Sequence, residues 1–398
     1  METKKFLCLD SVRGIAALCV IFSHSFLWFA PYLHTGVNPP SDFSVFIFNS
    51  PITFFFKGSS AVMLFFILSG FVLTRACVSS RNKFEYISSA IIKRYFRLNI
   101  PVAASIFICF TLSSLGLFTA DKLGVTAYLS SHYTANVSFN EAIYDAVFGG
   151  IISGSPKFNY VLWTINIEFF GSLLIFAING MCHKNVKLLR NFSLIAVIAC
   201  FLFGSEREAY YGLFFMGSAL AATNIYAAPS FISRKYFSIA IIFSSLYLLG
   251  YNEYTQWSYS YKWLFRAAHS LLSRLSVDVP VHVFLPSLGA FLLIYAIIRN
   301  ESLASKLESK FLSFFGKLSF SLYLLHTFLL ALVAPIINIT LGGGIMPGLI
   351  CAFAVIALTT MFSVPFYAYV DKRSISIANK MPMIFSKLVM QRIIRRRA

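Results

Sequence analysis

An all-α, polytopic membrane bundle with about ten transmembrane helices is the fold class that this 398-residue chain predicts,. Three observations carry that reading. The chain is 58% hydrophobic and only 12% charged, where soluble domains carry about 25% charged residues. Its mean hydropathy is +0.74. Its apolar runs last roughly 15 to 25 residues without alternation, the length of a helix across a bilayer. A soluble globule of this size has too little interior to hide so many apolar side chains. Lipid must solvate the rest, and backbone groups in lipid are satisfied only within helices or a closed barrel. Runs that do not alternate exclude the barrel.

The expected spans fall at 12–31, 52–74, 98–118, 160–181, 191–205, 209–227, 236–251, 283–299, 318–339 and 347–370. Lys4 and Lys5 ahead of the first run resemble the start of a signal peptide. No small-x-small cleavage site follows, and more spans do, so the segment reads as an uncleaved first helix. Two long loops remain, 119–159 and 252–282. The second, with Tyr251 just ahead of it, holds Tyr254, Trp257, Tyr259, Tyr261 and Trp263, residues that favour the membrane interface, and a helix lying in that interface is expected there. Of the 33 Lys and Arg, 26 fall in the segments on the N-terminal side and 7 on the other. That bias places both termini in the cytoplasm. Residues 1–375 then form one transmembrane domain, and 376–398 a basic cytoplasmic tail.

The net charge of +18 sits between apolar runs, so it serves topology and the anchoring of anionic membrane lipid or an anionic substrate. No nucleic acid is implied. The seven cysteines form no CxxC pair and show no metal spacing, so neither a disulfide framework nor a metal site is expected,. There is no Walker A or GxGxxG sequence for nucleotide chemistry and no GxSxG elbow for a serine hydrolase.

An ionisable residue inside a span is costly and marks a candidate site. In the first span Arg13 and His24 are eleven residues apart, about 16 Å along a helix and on nearly the same face. Asp10, one turn before Arg13, can hold it in an ion pair. Lys93-Arg94-Tyr95-Phe96-Arg97 puts two guanidinium groups on one helix turn, matched in shape to phosphate; a plain topology anchor would look the same. Glu168 lies about eight residues into an otherwise apolar span and needs a partner or a proton. By depth, His24 is the expected partner. His326 lies about two turns into the ninth span, with Tyr323 one turn and Ser319 two turns below it. Ser69-Gly70 reads as a close-packing site rather than a nucleophile. A structural ion pair or a hydrogen-bonded bundle histidine would give the same spacings.

Taken together these segments resemble the membrane-bound acyltransferase-3 family. Leu9-Asp10-Ser11-Val12-Arg13-Gly14-Ile15-Ala16-Ala17 with His24 is similar to its LDGLRGIAAL…H motif, an Arg-x10-His pattern. Phe65 to Leu73 resembles its FFxLSGFxL segment. Arg94 and Arg97 match its RxxR, Leu162-Trp163-Thr164 through Glu168 its LWxLxxE, and Ser319 to His326 its SYxxYLxH. Ser11 and Phe320 stand where Gly and Tyr are usual. Asp371 keeps the carboxylate of a Glu-x-Pro ending without the proline. No esterase-like domain is expected after the last span.

The resemblance implies a membrane O-acyltransferase that moves an acetyl or other short acyl group from cytoplasmic acyl-CoA, typically acetyl-CoA, to a hydroxyl of a cell-surface polysaccharide or a lipid-linked sugar in the bacterial inner membrane. It implies that Arg13, Arg94 and Arg97 hold the phosphates of CoA. His24 would be general base or acyl carrier, with Glu168 orienting it. Tyr323 and His326 would serve the oxyanion or the acceptor, and Asp10 and Ser69 would give structural support. No metal is implied. Two other readings stand beside it: an acyltransferase for a small molecule or lipid, and a proton-coupled transporter, which also uses buried His and Glu. The transporter would carry inverted repeats and paired Gly/Pro-broken helices, and neither is visible in the sequence.

Overall fold

The computed structural model describes residues 7–123, 133, 137–155, 157–182, 185–223, 235–253, 255–275 and 279–397. Lys4, Lys5, Lys184, Arg234, Tyr254 and the end of the sixth expected span, 224–227, lie outside the described residues. The chain runs through α1 (Leu7–Phe29), the short α2 (Tyr32–Thr35) and α3 (Asp42–Asn49), α4 (Gly58–Ser79) and α5 (Lys83–Ser114). After α6 (Phe139–Tyr144) and a π-helical stretch, Asp145–Ser153, come α7 (Leu162–Cys182), α8 (Val186–Leu202), α9 (Glu206–Ala221) and α10 (Lys235–Leu249). Then follow α11 (Lys262–Leu275), α12 (Val281–Arg299), α13 (Glu301–Leu307), α14 (Lys310–Leu341), α15 (Ile345–Phe366) and α16 (Lys372–Arg397). No strand occurs among the described residues.

Seven of these helical stretches are long and apolar enough to cross a membrane: α1, α4, α5, α7, α12, α14, and the continuous run Ile345–Lys387. The other three expected spans form α8, α9 and α10, of 17, 16 and 15 residues, shorter than the ~20 residues of a full crossing. One boundary also moves. α5 starts at Lys83, where the Asn82 side chain caps it by accepting from the Glu85 amide, so Arg94 and Arg97 lie inside a helix rather than ahead of one. The basic tail is a helical continuation of α15 through a π turn at Tyr367–Asp371. In the aromatic loop α11 carries Lys262, Arg266 and His269 at i, i+4 and i+7, one face of the helix,. The apolar Leu264, Leu271 and Leu275 fall opposite them, the pattern of an interfacial helix.

α1 sits at the centre, against α4, α14 and α15. Small residues set how closely it packs. A Cβ on Gly14 would come within 2.6 Å of the Gly316 nitrogen, and one on Gly316 within 2.5 Å of the Asp10 carbonyl oxygen. The two backbones therefore touch at Gly14 and Gly316, as small residues allow in membrane bundles. From that contact α1 and α14 run in the same direction, and ten residues further on each carries a histidine. At 1.5 Å per residue, His24 and His326 both stand about 15 Å above the crossing.

α4 and α9 cross in the same way. A Cβ on Gly70 would lie 2.0 Å from the Phe214 carbonyl oxygen, and one on Gly217 2.0 Å from that of Ile67. Gly217→Ala is expected to cost about 1–3 kcal/mol by forcing the helices apart. It should lower the melting temperature of the detergent-solubilised protein by several degrees. An unchanged melt would mean that the crossing relaxes freely.

Candidate active site

A cavity of ≈ 440 Å³ opens among α1, α4, α5, α7, α14 and the π turn before α16. At its mouth, on the face where α1 begins, are Asp10, Arg13 and Lys317. Deeper in lie Arg94, Arg97, Ser69, Glu168 and Asp371, and Thr164 and Tyr323 line it further along. Four cations thus face three carboxylates. Each arginine is held by one carboxylate and keeps other N–H groups for a ligand.

Arg94 is the most enclosed. Its guanidinium is paired with the Glu168 carboxylate. Its Nε donates to Ser172 Oγ at 2.7 Å and its Nη2 to Ser69 Oγ at 3.4 Å, while Ser69 Oγ donates to Glu168. Arg97 pairs with Asp371, gives a second bond to Ser374 Oγ at 2.9 Å, and lies 5.7 Å from the centre of the Phe320 ring. Arg13 reaches Asp10 at 3.3 Å. A neighbouring cleft of ≈ 580 Å³ shares Arg94 and Arg97 and adds Arg81 and Lys93. Together the two openings gather six cations of one face, Arg13, Arg81, Lys93, Arg94, Arg97 and Lys317, around a continuous basic surface.

The histidines form a separate unit. His24 Nδ1 and His326 Nε2 are 2.9 Å apart, with the rings stacked at 5.0 Å. His326 is fully buried. Its Nδ1 lies 2.8 Å from the Tyr323 carbonyl oxygen and 3.2 Å from that of Leu322. Carbonyl oxygens only accept, so that nitrogen carries the proton. In a neutral His326 the Nε2 is then an acceptor, and His24 Nδ1–H must be the donor. The proton of a neutral His24 is thereby fixed on Nδ1, and its Nε2 keeps a lone pair. His24 is only partly buried, and the Tyr160 ring meets it edge-on at 5.6 Å.

Tyr323 stands between the cavity and this pair. Its hydroxyl is 2.7 Å from Thr164 Oγ1. Thr164 spends its own proton on the Val161 carbonyl oxygen at 2.8 Å, so Tyr323 is the donor of the shared bond. The Phe65 ring packs edge-on against Tyr323 at 5.9 Å. The cavity therefore ends one helical turn short of His326. Beyond the end of α1, His34 donates from Nε2 to the Ser23 carbonyl oxygen at 3.0 Å, and Lys57 Nζ donates to the His34 carbonyl oxygen at 3.2 Å. Burial, and then the charge of Lys57, push the His34 pKa down to about 3, so its ring is neutral there,.

The structure thus gathers Asp10, Arg13, Ser69, Arg94, Arg97, Glu168 and Tyr323 around one cavity and sets His24 against His326. The expected partnership of His24 with Glu168 gives way to two others: Glu168 with Arg94, and His24 with His326. Depth in the membrane placed Glu168 and His24 near one another, but it says nothing of direction around a helix. Thr164, Ser172, Ser374, Lys317 and Tyr160 belong to the assembly and carried no signal of their own. Among the described residues, no group of three or more His, Cys, Asp or Glu could hold a metal ion.

A family model described as an acyltransferase domain matches residues 6–368. The chain is also 28% identical over 194 residues to an O-acetyltransferase, PaAT-1, of Phomopsis amygdali. That match takes in 42% of this chain and 38% of the relative, so the chain spans well under half of the curated protein it resembles. No solved structure matches the chain.

Proposed function

Since the chain belongs to the acyltransferase-3 family, matched from residue 6 to 368, and is an acyltransferase, we propose that it transfers an acetyl or other short acyl group from cytoplasmic acyl-CoA to a hydroxyl of a cell-surface polysaccharide. The observation that carries this reading is the cavity lined by fixed arginines on one face, ending one turn below the His24–His326 pair. In this reading that face, and with it both termini, is cytoplasmic, which the bias of Lys and Arg supports, and the membrane is a bacterial plasma membrane.

In this reading Arg13, Arg94 and Arg97 offer their free N–H groups to the phosphates of CoA, and Arg81 and Lys93 extend the basic surface outward,. The acyl-bearing arm lies in the cavity, with the thioester near Tyr323. His24 Nε2 takes the proton of the acceptor hydroxyl as its oxygen attacks the thioester carbonyl. The new C–O bond forms, the C–S bond breaks, and the thiolate leaves with the proton from His24. Throughout the cycle His24 Nδ1–H stays on His326, so only one nitrogen exchanges protons. Tyr323 becomes an oxyanion donor by releasing Thr164. Glu168 acts on Arg94 as a positioning residue rather than on His24.

Membranes given labelled acetyl-CoA test the reading. Label in polysaccharide supports it. Label in an organic-soluble product moves the acceptor to a small molecule or lipid, and substrate flux without label would point to transport. Arg97→Ala should raise the KM for acetyl-CoA about ten-fold or more, the loss of one charge-assisted phosphate contact, with a smaller change in kcat. An unaltered donor KM would remove Arg97 from the donor site.

A further inference from the structure

A second cleft, of ≈ 450 Å³, opens at the start of α7, against the start of α9 and the end of the π-helical stretch. We propose that it is a glycan subsite, seating a sugar unit of the acceptor chain beside the one that is acylated. The proposal rests on the polysaccharide reading above and assigns it residues of its own.

The walls have the two kinds of surface that a pyranose presents. Such a sugar has an apolar face of C–H groups and a rim of hydroxyls. Trp163 and Tyr210 form a corner, their ring centres 5.7 Å apart and their planes inclined at 53°. Aromatic faces of that kind take an apolar surface while leaving polar handles at the edge. Around them stand groups already fixed in place. Asn166 is buried and donates to the carbonyl oxygens of Ile151 and Ile152 at 2.8 and 2.6 Å. Its Oδ1 accepts from Arg207 Nη2 at 2.5 Å, which aims an exposed guanidinium with further donors to spare,. Glu206 accepts from the Tyr210 hydroxyl at 3.1 Å and keeps acceptor capacity. A planar donor, a carboxylate and two rings in one cleft suit a hydroxyl-rich ring. A purely apolar ligand would give the Glu206 carboxylate and the Arg207 guanidinium nothing to bond.

The position relative to the histidines completes the argument. Thr164 and Glu168 line the donor cavity from the same helix, at about 100° and 140° around it from Trp163, so α7 separates the two openings. Tyr160, three residues before Trp163, touches His24 with its ring. One turn of chain therefore joins the cleft to the reacting group. An acceptor longer than one sugar can reach both, with its reactive hydroxyl at His24 and a neighbouring unit against Trp163.

The test compares acceptors by length. Fragments of one, two and four sugars are cut from de-O-acetylated surface polysaccharide of cells lacking this protein, and given with labelled acetyl-CoA to the full-length protein in membranes. In the wild type, KM should fall as fragments lengthen. Trp163→Ala and Arg207→Ala should each raise KM for the four-sugar fragment ten-fold or more, leave kcat within two-fold, and leave the single sugar unaffected. Trp163→Phe should restore most of the affinity. A thermal melt in detergent reports whether each variant is folded, and Arg207, exposed at its position, carries the test if Trp163→Ala does not assemble. Four-sugar KM values unchanged in both alanine variants would overturn the subsite while the polysaccharide reading stands. A wild-type enzyme that labels no fragment of any length, yet labels an organic-soluble product, would overturn the reading and the subsite together.

Discussion

His24→Ala protein, brought to wild-type level in membranes, is expected to lose acyl transfer by about 10²–10⁴-fold, the contribution of a positioned general base. The geometry argues for the upper part of that range. His326 is fixed from below by two carbonyl oxygens and fixes His24 in turn, so the lone pair of His24 Nε2 is supplied by the network and not by chance rotation. A base oriented by a third group is the arrangement that nucleophile activation generally uses. His326→Ala should therefore also fall, about ten- to a hundred-fold, because His24 survives but loses its fixed tautomer. The double variant should be little worse than His24→Ala alone, since residues acting as one unit do not add. Incorporation of label from acetyl-CoA into polysaccharide measures all three. Unchanged acylation in His24→Ala would remove the base role. Equal and independent losses in the two single variants would show that His326 does not act through His24.

Much of the bundle is legible in the amino-acid sequence itself. Apolar runs located the helices because lipid leaves the backbone no other way to satisfy its hydrogen bonds. Arg13, Arg94, Arg97 and Glu168 stood out because a charge among apolar residues has to be accounted for. What the sequence does not carry is direction around a helix axis. The depth of Glu168 made His24 a reasonable partner, yet α1 faces α14 through Gly14 and Gly316, and that contact delivers His24 to His326 instead. Asp371 was visible as a lone carboxylate, but its bond to Arg97 joins residues 274 apart in sequence. The cleft at Trp163 draws on three separate stretches of chain, none of which is unusual alone. The start of α5 was misplaced for a different reason. The residues from Lys83 to Arg97 are too polar for a span, but the Asn82 cap starts a helix there all the same, and hydropathy does not register caps.

Removing Glu168 should unfold more protein than removing Glu168 and Arg94 together. Both side chains are mostly enclosed, each 16% exposed. In Glu168→Ala the Arg94 guanidinium stays in place with two serine hydroxyls and no counter-charge, and breaking a buried pair in that way costs about 3–5 kcal/mol. That is a large share of the 5–15 kcal/mol typical of a folded protein, so the variant should be depleted from membranes and melt well below the wild type in detergent. Glu168→Gln keeps the volume and an acceptor for Ser69 but not the charge, and should fall between the two. Arg94→Met with Glu168→Met removes both charges and refills the space, which often returns most of the lost stability. Activity should not return with it. If Arg94 is a contact for the phosphates of the donor, the double variant will be folded and still fail to use acetyl-CoA at concentrations that saturate the wild type. A melt of the double variant as low as that of Glu168→Ala would show that Arg94 and Glu168 do not stabilise one another. A folded double variant with wild-type donor KM would take Arg94 out of the donor site and leave Arg97 and Arg13 to hold the phosphates.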